Sequence, residues 1–239
     1  YDNIVEKREA IIELHYLMLC ISDNHKYVYE RWKTIVTQMI EKDPGSPKIN
    51  RLRVIHLYEC DLNLFIGLYF RKLSQHLEDN KLLNPGTYGG CPNRRAIDPV
   101  IIDVTQTEIA MVTRRPLIRC NNDLKQCFDR LMSHLVQLNQ QSYGLPSNIA
   151  KILGDFLQQA IYKIKTAMGI SERSYSHTRE HGVFGTGQGS VMSMYSCLTM
   201  LSRIIDAHMK RSHGAKYSDP TGALRDLIIR VLGFMDDNN

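Results

Sequence analysis

The order of two hydrophobic periodicities constrains the fold of this chain more than any other feature. Apolar residues first recur mainly at the spacing of amphipathic helices, and strand-like alternation with polar residues clusters later. The helical spacing predicts helices over residues 2–21, 24–42, 61–83, 98–112, 128–141, 148–160 and 191–211. The alternation predicts strands over residues 51–59, 115–123, 162–169, 215–218 and 226–235. This order favours an α+β architecture.

The composition is that of a globular protein without a strong bias toward one kind of partner. The chain has 239 residues, of which 43% are hydrophobic and 23% charged, so it can bury a sizeable core. Its net charge of +5 is compatible with nucleic-acid binding but does not require it. The six cysteines form no C-x-x-C pair, and we expect reduced thiols in an intracellular protein. No apolar run approaches a membrane span, and the first residue, Tyr1, suggests a fragment of something longer.

Two adjacent carboxylates, Asp236 and Asp237, end the last predicted strand. An Asp-Asp pair alone is more often an exposed acidic turn, but a third carboxylate, Asp123, ends the predicted strand 115–123. If these two strands are neighbours, the three carboxylates meet at one edge of the sheet. Hard oxygen ligands of this kind suit Mg²⁺ or Mn²⁺. The sequence therefore predicts the ligand set of a site that holds two metal ions and transfers phosphoryl groups.

Several motifs that follow one another along the chain resemble those of reverse transcriptases. DLKQCFD (123–129) resembles their D-x-x-x-A-F-D motif, and FMDD (234–237) is similar to their aromatic-x-D-D box. Between these, GTGQGSVMS (185–193) is similar to G-x-P-Q-G-S-x-L-S. Upstream, RVIHL (53–57) and TYGGCPNRRAIDPV (87–100) resemble the R-P-I-S-L strand and the Q-x-G-F-R-P-G-R-S-x-x-D segment of the fingers. The motif order also agrees, and the loops are most similar to those of reverse transcriptases of transposable elements.

The resemblance implies a right-hand polymerase fold with fingers and palm. An antiparallel palm sheet would be backed by helices, and the thumb would be absent because the chain stops after the D-D box. Residues 1–47 would form a helical N-terminal extension that the fingers could include. Residues 48–114 would form the fingers, and 115–239 the palm, with an inserted fingers hairpin over about 162–184. The expected location is the nucleus or the cytoplasm.

The resemblance also implies RNA-directed DNA synthesis. Asp123 and Asp236 would hold two Mg²⁺ or Mn²⁺ ions, with the help of Asp237, while a primer 3′-hydroxyl attacks the α-phosphate of a dNTP. The partners would be an RNA template, a DNA primer and the dNTP, with no membrane involved. An RNA-dependent RNA polymerase, which shares the palm, is the related alternative, and Phe128 argues against it because ribonucleotide-using enzymes usually have a smaller or acidic group at this position.

Five residues are expected to bind the incoming nucleotide. Arg53 would contact the triphosphate, because a guanidinium group can donate two parallel hydrogen bonds to phosphate oxygens. Lys48 would be a second cation at the same group. Phe128 would exclude a 2′-hydroxyl by its size, although an aromatic residue at this position could equally belong to the core. Gln188 and Gly189 would contact the nucleotide from a glycine-rich loop, since glycine allows the backbone to approach closely.

Four further cations are expected to follow a nucleic-acid backbone: Arg94, Arg95, Lys163 and Lys165. Ordinary surface charge explains these four residues about as well. The sequence departs from the family pattern at Cys127, Gly187, Cys91 and Met194, none of which is a predicted metal ligand. These departures keep a second hypothesis open, in which a catalytically decayed palm binds nucleic acid or another partner.

Overall fold

The protein has an α+β fold, as the sequence predicts. The computed structural model describes residues 9–45, 48, 51–121, 124, 127–178, 183–218, 221 and 226–234. The helices are α1 (Glu9–His25), α2 (Cys60–Asp79), α3 (Ile97–Thr113), α4 (Cys127–Arg130), α5 (Ser133–Ser142), α6 (Ser147–Gln159) and α7 (Val191–Met209), with a 3₁₀ helix at Glu30–Lys33. The strands are β1 (Thr34–Glu41), β2 (Leu52–Leu57), β3 (Thr87–Tyr88), β4 (Ile161–Thr166), β5 (Gly169–Ser176), β6 (Ala215–Tyr217), β7 (Leu227–Ile229) and β8 (Gly233–Phe234).

The chain divides into two compact units, each built from two stretches of sequence. Unit 1 comprises Tyr1–Leu73 and Phe128–Ser193, and unit 2 comprises Ser74–Cys127 and Met194–Asn239. Helices α2, α4 and α7 contribute residues to both units. The assignment of residues 48–114 to fingers and 115–239 to palm stays a prediction.

Unit 1 contains a four-stranded mixed sheet in the order β2-β1-β4-β5. Strand β1 pairs antiparallel with β2 and parallel with β4, and β4 and β5 form an antiparallel hairpin. Strand β4 begins close to the start of the strand predicted over 162–169, but it ends at Thr166, and residues 167 and 168 form the turn that leads into β5.

One face of the sheet in unit 1 is covered by a hydrophobic core. Ile35 of β1 is completely buried, as are Trp32 and Phe156. The ring of Phe156, on α6, lies 5.7 Å from the ring of Tyr58, and the rings of Trp32 and Phe65 are also 5.7 Å apart. Because side chains alternate along a strand, this burial leaves the opposite face of the sheet less covered. On that face Thr34, Val36 and Gln38 are only partly buried.

Unit 2 combines α3 with two small pairs of strands. Strands β3 and β8 pair in parallel, and β6 and β7 form the antiparallel pair that the sequence predicts near 215–218 and 226–235. Asn84 is buried at the centre of a hydrogen-bond network. Its side chain donates to Asp206 Oδ1 over 2.5 Å and accepts from the Gly86 N–H over 2.8 Å, while its backbone N–H donates to Ser202 Oγ over 2.9 Å.

Three predicted elements are wrong. The helix predicted over 24–42 is interrupted, because α1 ends at His25, Lys26 has a positive φ of 56°, and β1 begins at Thr34. Residues 34–37, the run Thr-Ile-Val-Thr, are all β-branched and alternate in burial, so tertiary pairing with β2 and β4 decides their conformation. The segment 115–121 forms no strand and is mostly exposed. The predicted helix 128–141 breaks at residues 131 and 132, between α4 and α5.

The structure also bears on membrane association. Within the described ranges, none of the helices has both the length and the apolar character needed to cross a bilayer.

Candidate functional site

The three predicted metal ligands, Asp123, Asp236 and Asp237, lie outside the described residues. The strand pairing on which their convergence depended is not observed. Residues 115–121 form no strand, and β8 pairs with β3 instead, with Thr87 opposite Gly233. Among the residues that the structure describes, no group of three or more His, Cys, Asp or Glu side chains could hold a metal ion.

Four of the five predicted nucleotide-binding residues are related through a stretch that we call the glycine segment, residues 184–190. Gln188 and Gly189 lie within it, and Arg53 and Phe128 lie on elements that it contacts. This segment runs along β2, one of the two edge strands of the sheet in unit 1. The backbone N–H of His56 donates to the Gln188 carbonyl over 2.7 Å, and Ile55 and Gln188 form a parallel bridge. The glycine segment therefore pairs with the outer edge of β2. Gln188 lies opposite Ile55, which is two residues after Arg53 on the same strand.

Glycine is required at two positions of the glycine segment. Gly187 has φ +70° and Gly189 has φ +119°, conformations that residues with a side chain rarely adopt. A Cβ atom at residue 187 would overlap the hydroxyl of Tyr58, and one at residue 189 would overlap the backbone carbonyl oxygen of His56. Since the Tyr58 hydroxyl also donates to the Thr186 carbonyl over 3.1 Å, the segment lies directly against β2 and the residue that follows it.

The opposite side of the glycine segment binds the residues around Phe128. The Thr186 N–H donates to the Phe128 carbonyl over 3.0 Å, and the Gly185 N–H donates to the Leu131 carbonyl over 2.8 Å. These bonds use main-chain atoms, so they position α4 without engaging the Phe128 side chain. The glycine segment thus joins the strand that carries Arg53 to the helix that carries Phe128.

The register of the sheet places four predicted site residues on one face. Residues directly opposite each other in a sheet point to the same side, and residues two apart on a strand do so as well. By this rule Arg53 and Ile55 share a face with Gln188, and the register across β1 adds Lys163 and Lys165. We call Arg53, Gln188, Lys163 and Lys165 the basic face.

The basic face combines cations with an apolar groove. A groove of about 410 Å³ is lined in part by Val36, Leu57, Lys165 and Ile170. The Nε of Arg53 is buried and has no hydrogen-bond partner among the described residues. A buried guanidinium N–H without an acceptor is costly, and it would be satisfied by an anionic oxygen of a ligand.

The sequence did not single out two titratable residues beside the glycine segment. Desolvation raises the pKa of the Asp129 carboxyl, and the positive charge of Lys42 lowers it in part. Asp129 is the second acidic residue of the DLKQCFD motif, and its place in that motif could have identified it from the sequence. The ring of His56 lies under Gly187, and burial, with a smaller effect of His177, lowers the pKa of His56 to about 4. Nothing in the sequence pattern marked His56.

The remaining predicted cations lie elsewhere. In unit 2, the Arg94 guanidinium donates to the backbone carbonyls of Asn84 and Thr87, over 3.2 Å and 2.5 Å, so these contacts support the loop before α3. Arg95 is exposed, and its backbone N–H donates to Asp98 Oδ2 over 2.7 Å at the start of α3. Lys48 is exposed, and its carbonyl accepts from the Arg51 N–H over 2.8 Å. Nucleic-acid or nucleotide binding by these three residues stays a prediction.

Comparisons with known proteins do not assign the chain to a family. No protein-family model matches the sequence, and no curated protein matches it. The resemblance to reverse transcriptases therefore depends on the motifs and on how their residues are arranged.

Proposed function

We propose that this chain is part of an RNA-directed DNA polymerase that transfers dNMP from a dNTP to a primer 3′-hydroxyl. One observation carries the proposal: the glycine segment, which contains Gln188, contacts both the strand that carries Arg53 and the helix that carries Phe128. The three residues come from distant parts of the sequence. These are residues that the motif resemblance independently names as the nucleotide site. An unrelated loop has no reason to join these particular positions.

Each of these residues has a role that follows from its chemistry. The Arg53 guanidinium, with an unsatisfied Nε, would bind triphosphate oxygens. Phe128 would limit the space beside the sugar and so favour deoxynucleotides over ribonucleotides. Gln188 would hydrogen-bond the nucleotide from the edge of β2. Lys163 and Lys165, on the same face, would neutralise phosphates of the RNA template or the primer.

The carboxylates of Asp123, Asp236 and Asp237 have the donor chemistry that Mg²⁺ and Mn²⁺ prefer. In the proposal they would hold two such ions, which supply activation of the 3′-hydroxyl and neutralisation of charge on the phosphates. A carboxamide at any of these positions would keep the size of the side chain and remove its charge.

The proposal is tested by primer extension on an RNA template. We expect incorporation of dNMP that requires Mg²⁺ or Mn²⁺, prefers dNTPs over NTPs and is abolished in Asp236→Asn. Undiminished synthesis by Asp236→Asn would refute the proposed metal site. Metal-independent RNA binding without incorporation would instead favour the non-catalytic binding module, and a preference for NTPs would favour RNA synthesis.

The nucleotide site is tested separately by dNTP binding to the chain in the presence of Mg²⁺. Arg53→Ala should weaken binding by roughly tenfold or more, because a charge-assisted hydrogen bond contributes about 1.5–3 kcal/mol. Arg51→Ala is the matched control, since Arg51 is an exposed arginine just before β2 that pairs with Asp43 at the surface. Equal affinities of the two variants would contradict the assignment of Arg53.

A further inference from the structure

Two buried cysteines of unit 2 lie side by side. Cys127 Sγ and Cys197 Sγ are 2.9 Å apart, although the residues are 70 positions apart in the chain. Cys127 is 9% exposed and begins α4, and Cys197 is 3% exposed and lies within α7. A disulfide has a sulfur–sulfur bond of about 2.05 Å, so the two atoms need to approach by only roughly 0.9 Å to reach it.

We infer that Cys127 and Cys197 form a redox-responsive pair, which hydroperoxides convert to a disulfide and thiols convert back. Cys127 is the more exposed of the two, so it would react first. Its thiol and hydrogen peroxide give a sulfenic acid and one water molecule. The Cys197 sulfur then attacks the Cys127 sulfur, the S–S bond forms, and the hydroxyl leaves as a second water. Two thiols lose two electrons and two protons, and one peroxide becomes two water molecules.

The proximity of a second thiol distinguishes this pair from the other buried cysteine, Cys91. Cys91 is also buried, at 7% exposure, but its sulfur contacts the Thr87 carbonyl oxygen at 3.9 Å. A sulfenic acid persists or oxidises further when no thiol is near, whereas an adjacent thiol captures it rapidly as a disulfide. Cys91 is therefore an internal control that matches the pair in burial.

The consequence is a covalent bond between Cys127 and Cys197, two residues of unit 2. A disulfide that closes a loop of this length stabilises the fold chiefly by restricting the unfolded chain. We expect the oxidised form to melt roughly 5–10 °C above the reduced form, and added dithiothreitol to reverse the shift. This inference does not depend on the proposed polymerase activity.

The test is peptide mapping of the reduced chain after brief treatment with hydrogen peroxide. Remaining thiols are alkylated under denaturing conditions, the chain is digested without reductant, and the peptides are weighed by mass spectrometry. We expect a peptide pair linked through Cys127 and Cys197, two hydrogen atoms lighter than the two thiol peptides together. Dithiothreitol should release both peptides, and Cys91 should remain alkylated.

Variants of the chain complete the design. Cys197→Ser should abolish the linked peptide and the rise in melting temperature, and Cys91→Ser should retain both. The measurement on the wild-type chain decides the matter even if a variant folds poorly. Cys127 and Cys197 peptides alkylated after peroxide treatment to the same extent as the Cys91 peptide would overturn the inference, as would linkage of Cys127 to a different cysteine.

Discussion

Replacing Gly189 with alanine should destabilise the protein well beyond the cost of its backbone conformation. Gly189 has φ +119°, and an added Cβ would overlap the carbonyl oxygen of His56, a main-chain atom of β2 that cannot move without disturbing the sheet. Gly169, the first residue of β5, has nearly the same φ of +122°, but no atom of the described residues lies within 4 Å of an added Cβ. The two glycines therefore share the strain of a positive φ and differ in the overlap.

The magnitudes follow from this comparison. An unfavourable φ for alanine costs about 1–2 kcal/mol, and loss of unfolded-chain entropy offsets about 0.4–1 kcal/mol of that. Gly169→Ala should therefore lower the free energy of unfolding by about 1 kcal/mol. Overpacking against a rigid neighbour costs a further 1–3 kcal/mol or so, which brings Gly189→Ala to about 2–4 kcal/mol.

The assay is urea denaturation followed by circular dichroism, with the free energy of unfolding extrapolated to water. Gly67→Ala is a second control, because Gly67 lies inside α2 and an added Cβ would have no atom of the described part of the chain within 4 Å. This variant should gain about 0.5–1 kcal/mol in the free energy of unfolding. If Gly189→Ala costs no more than Gly169→Ala, the glycine segment does not lie against β2 as described, and the arrangement of the candidate site is wrong.

Three other predictions concern charged or polar groups with defined partners. Burial lowers the pKa of His56 from 6.5 to about 4, so the neutral imidazole stabilises the folded state fully above pH 6.5 and this stabilisation is lost as the pH falls toward 4. Melting at a series of pH values should show a loss of about 2–3 kcal/mol in the free energy of unfolding over this range, and His56→Gln should remove that pH dependence. Asp61 is 1% exposed and pairs with Arg31, so Asp61→Asn should cost about 2–3 kcal/mol in chemical denaturation. Asn84→Ala should cost about 2–4 kcal/mol in thermal melts, since it leaves the Gly86 N–H unsatisfied in a buried network.

Exposed counterparts provide the controls for the last two substitutions. Asp43 pairs with Arg51 at the surface, where both side chains are about 60% exposed, and Asp43→Asn should change stability by less than about 0.5 kcal/mol. Asn80 is exposed at the end of α2, and Asn80→Ala should have a similarly small effect. Losses of equal size at the buried and the exposed positions would show that burial is not the cause.

The sequence predicted those elements whose pattern is local. Helices α2, α3, α6 and α7 carry their own periodicity and turn signals, and they form close to the expected bounds. Strand β1 was missed because its apolar residues also fit a helical spacing when residues 24–42 are considered together. Only pairing with β2 and β4, which are distant in sequence, decides between the two conformations. The segment 115–121 shows the reverse case, in which a strand-like alternation finds no partner among the described residues.

The failure to predict β1 also explains which part of the site could not be predicted from the sequence. Lys163 and Lys165 are two residues apart on a predicted strand, so their common face follows from the sequence alone. Arg53 lies on another strand, and its relation to the lysines depends on β1, which lies between them. Motif resemblance named the members of the site, but only the register of the sheet relates Arg53 and Gln188 to the cations of β4.

The way the candidate site is held together has a consequence for how it can vary. The glycine segment is bound to β2 through the His56 N–H and to α4 through the Phe128 carbonyl, and both contacts are made by the main chain. The side chains of Gln188 and Phe128 take no part in these bonds, so they can change without loss of the backbone arrangement. The glycines at 187 and 189 cannot, because a side chain at either position would meet Tyr58 or His56. Substitutions should therefore separate into those that alter ligand preference at fixed stability and those that disrupt the segment itself.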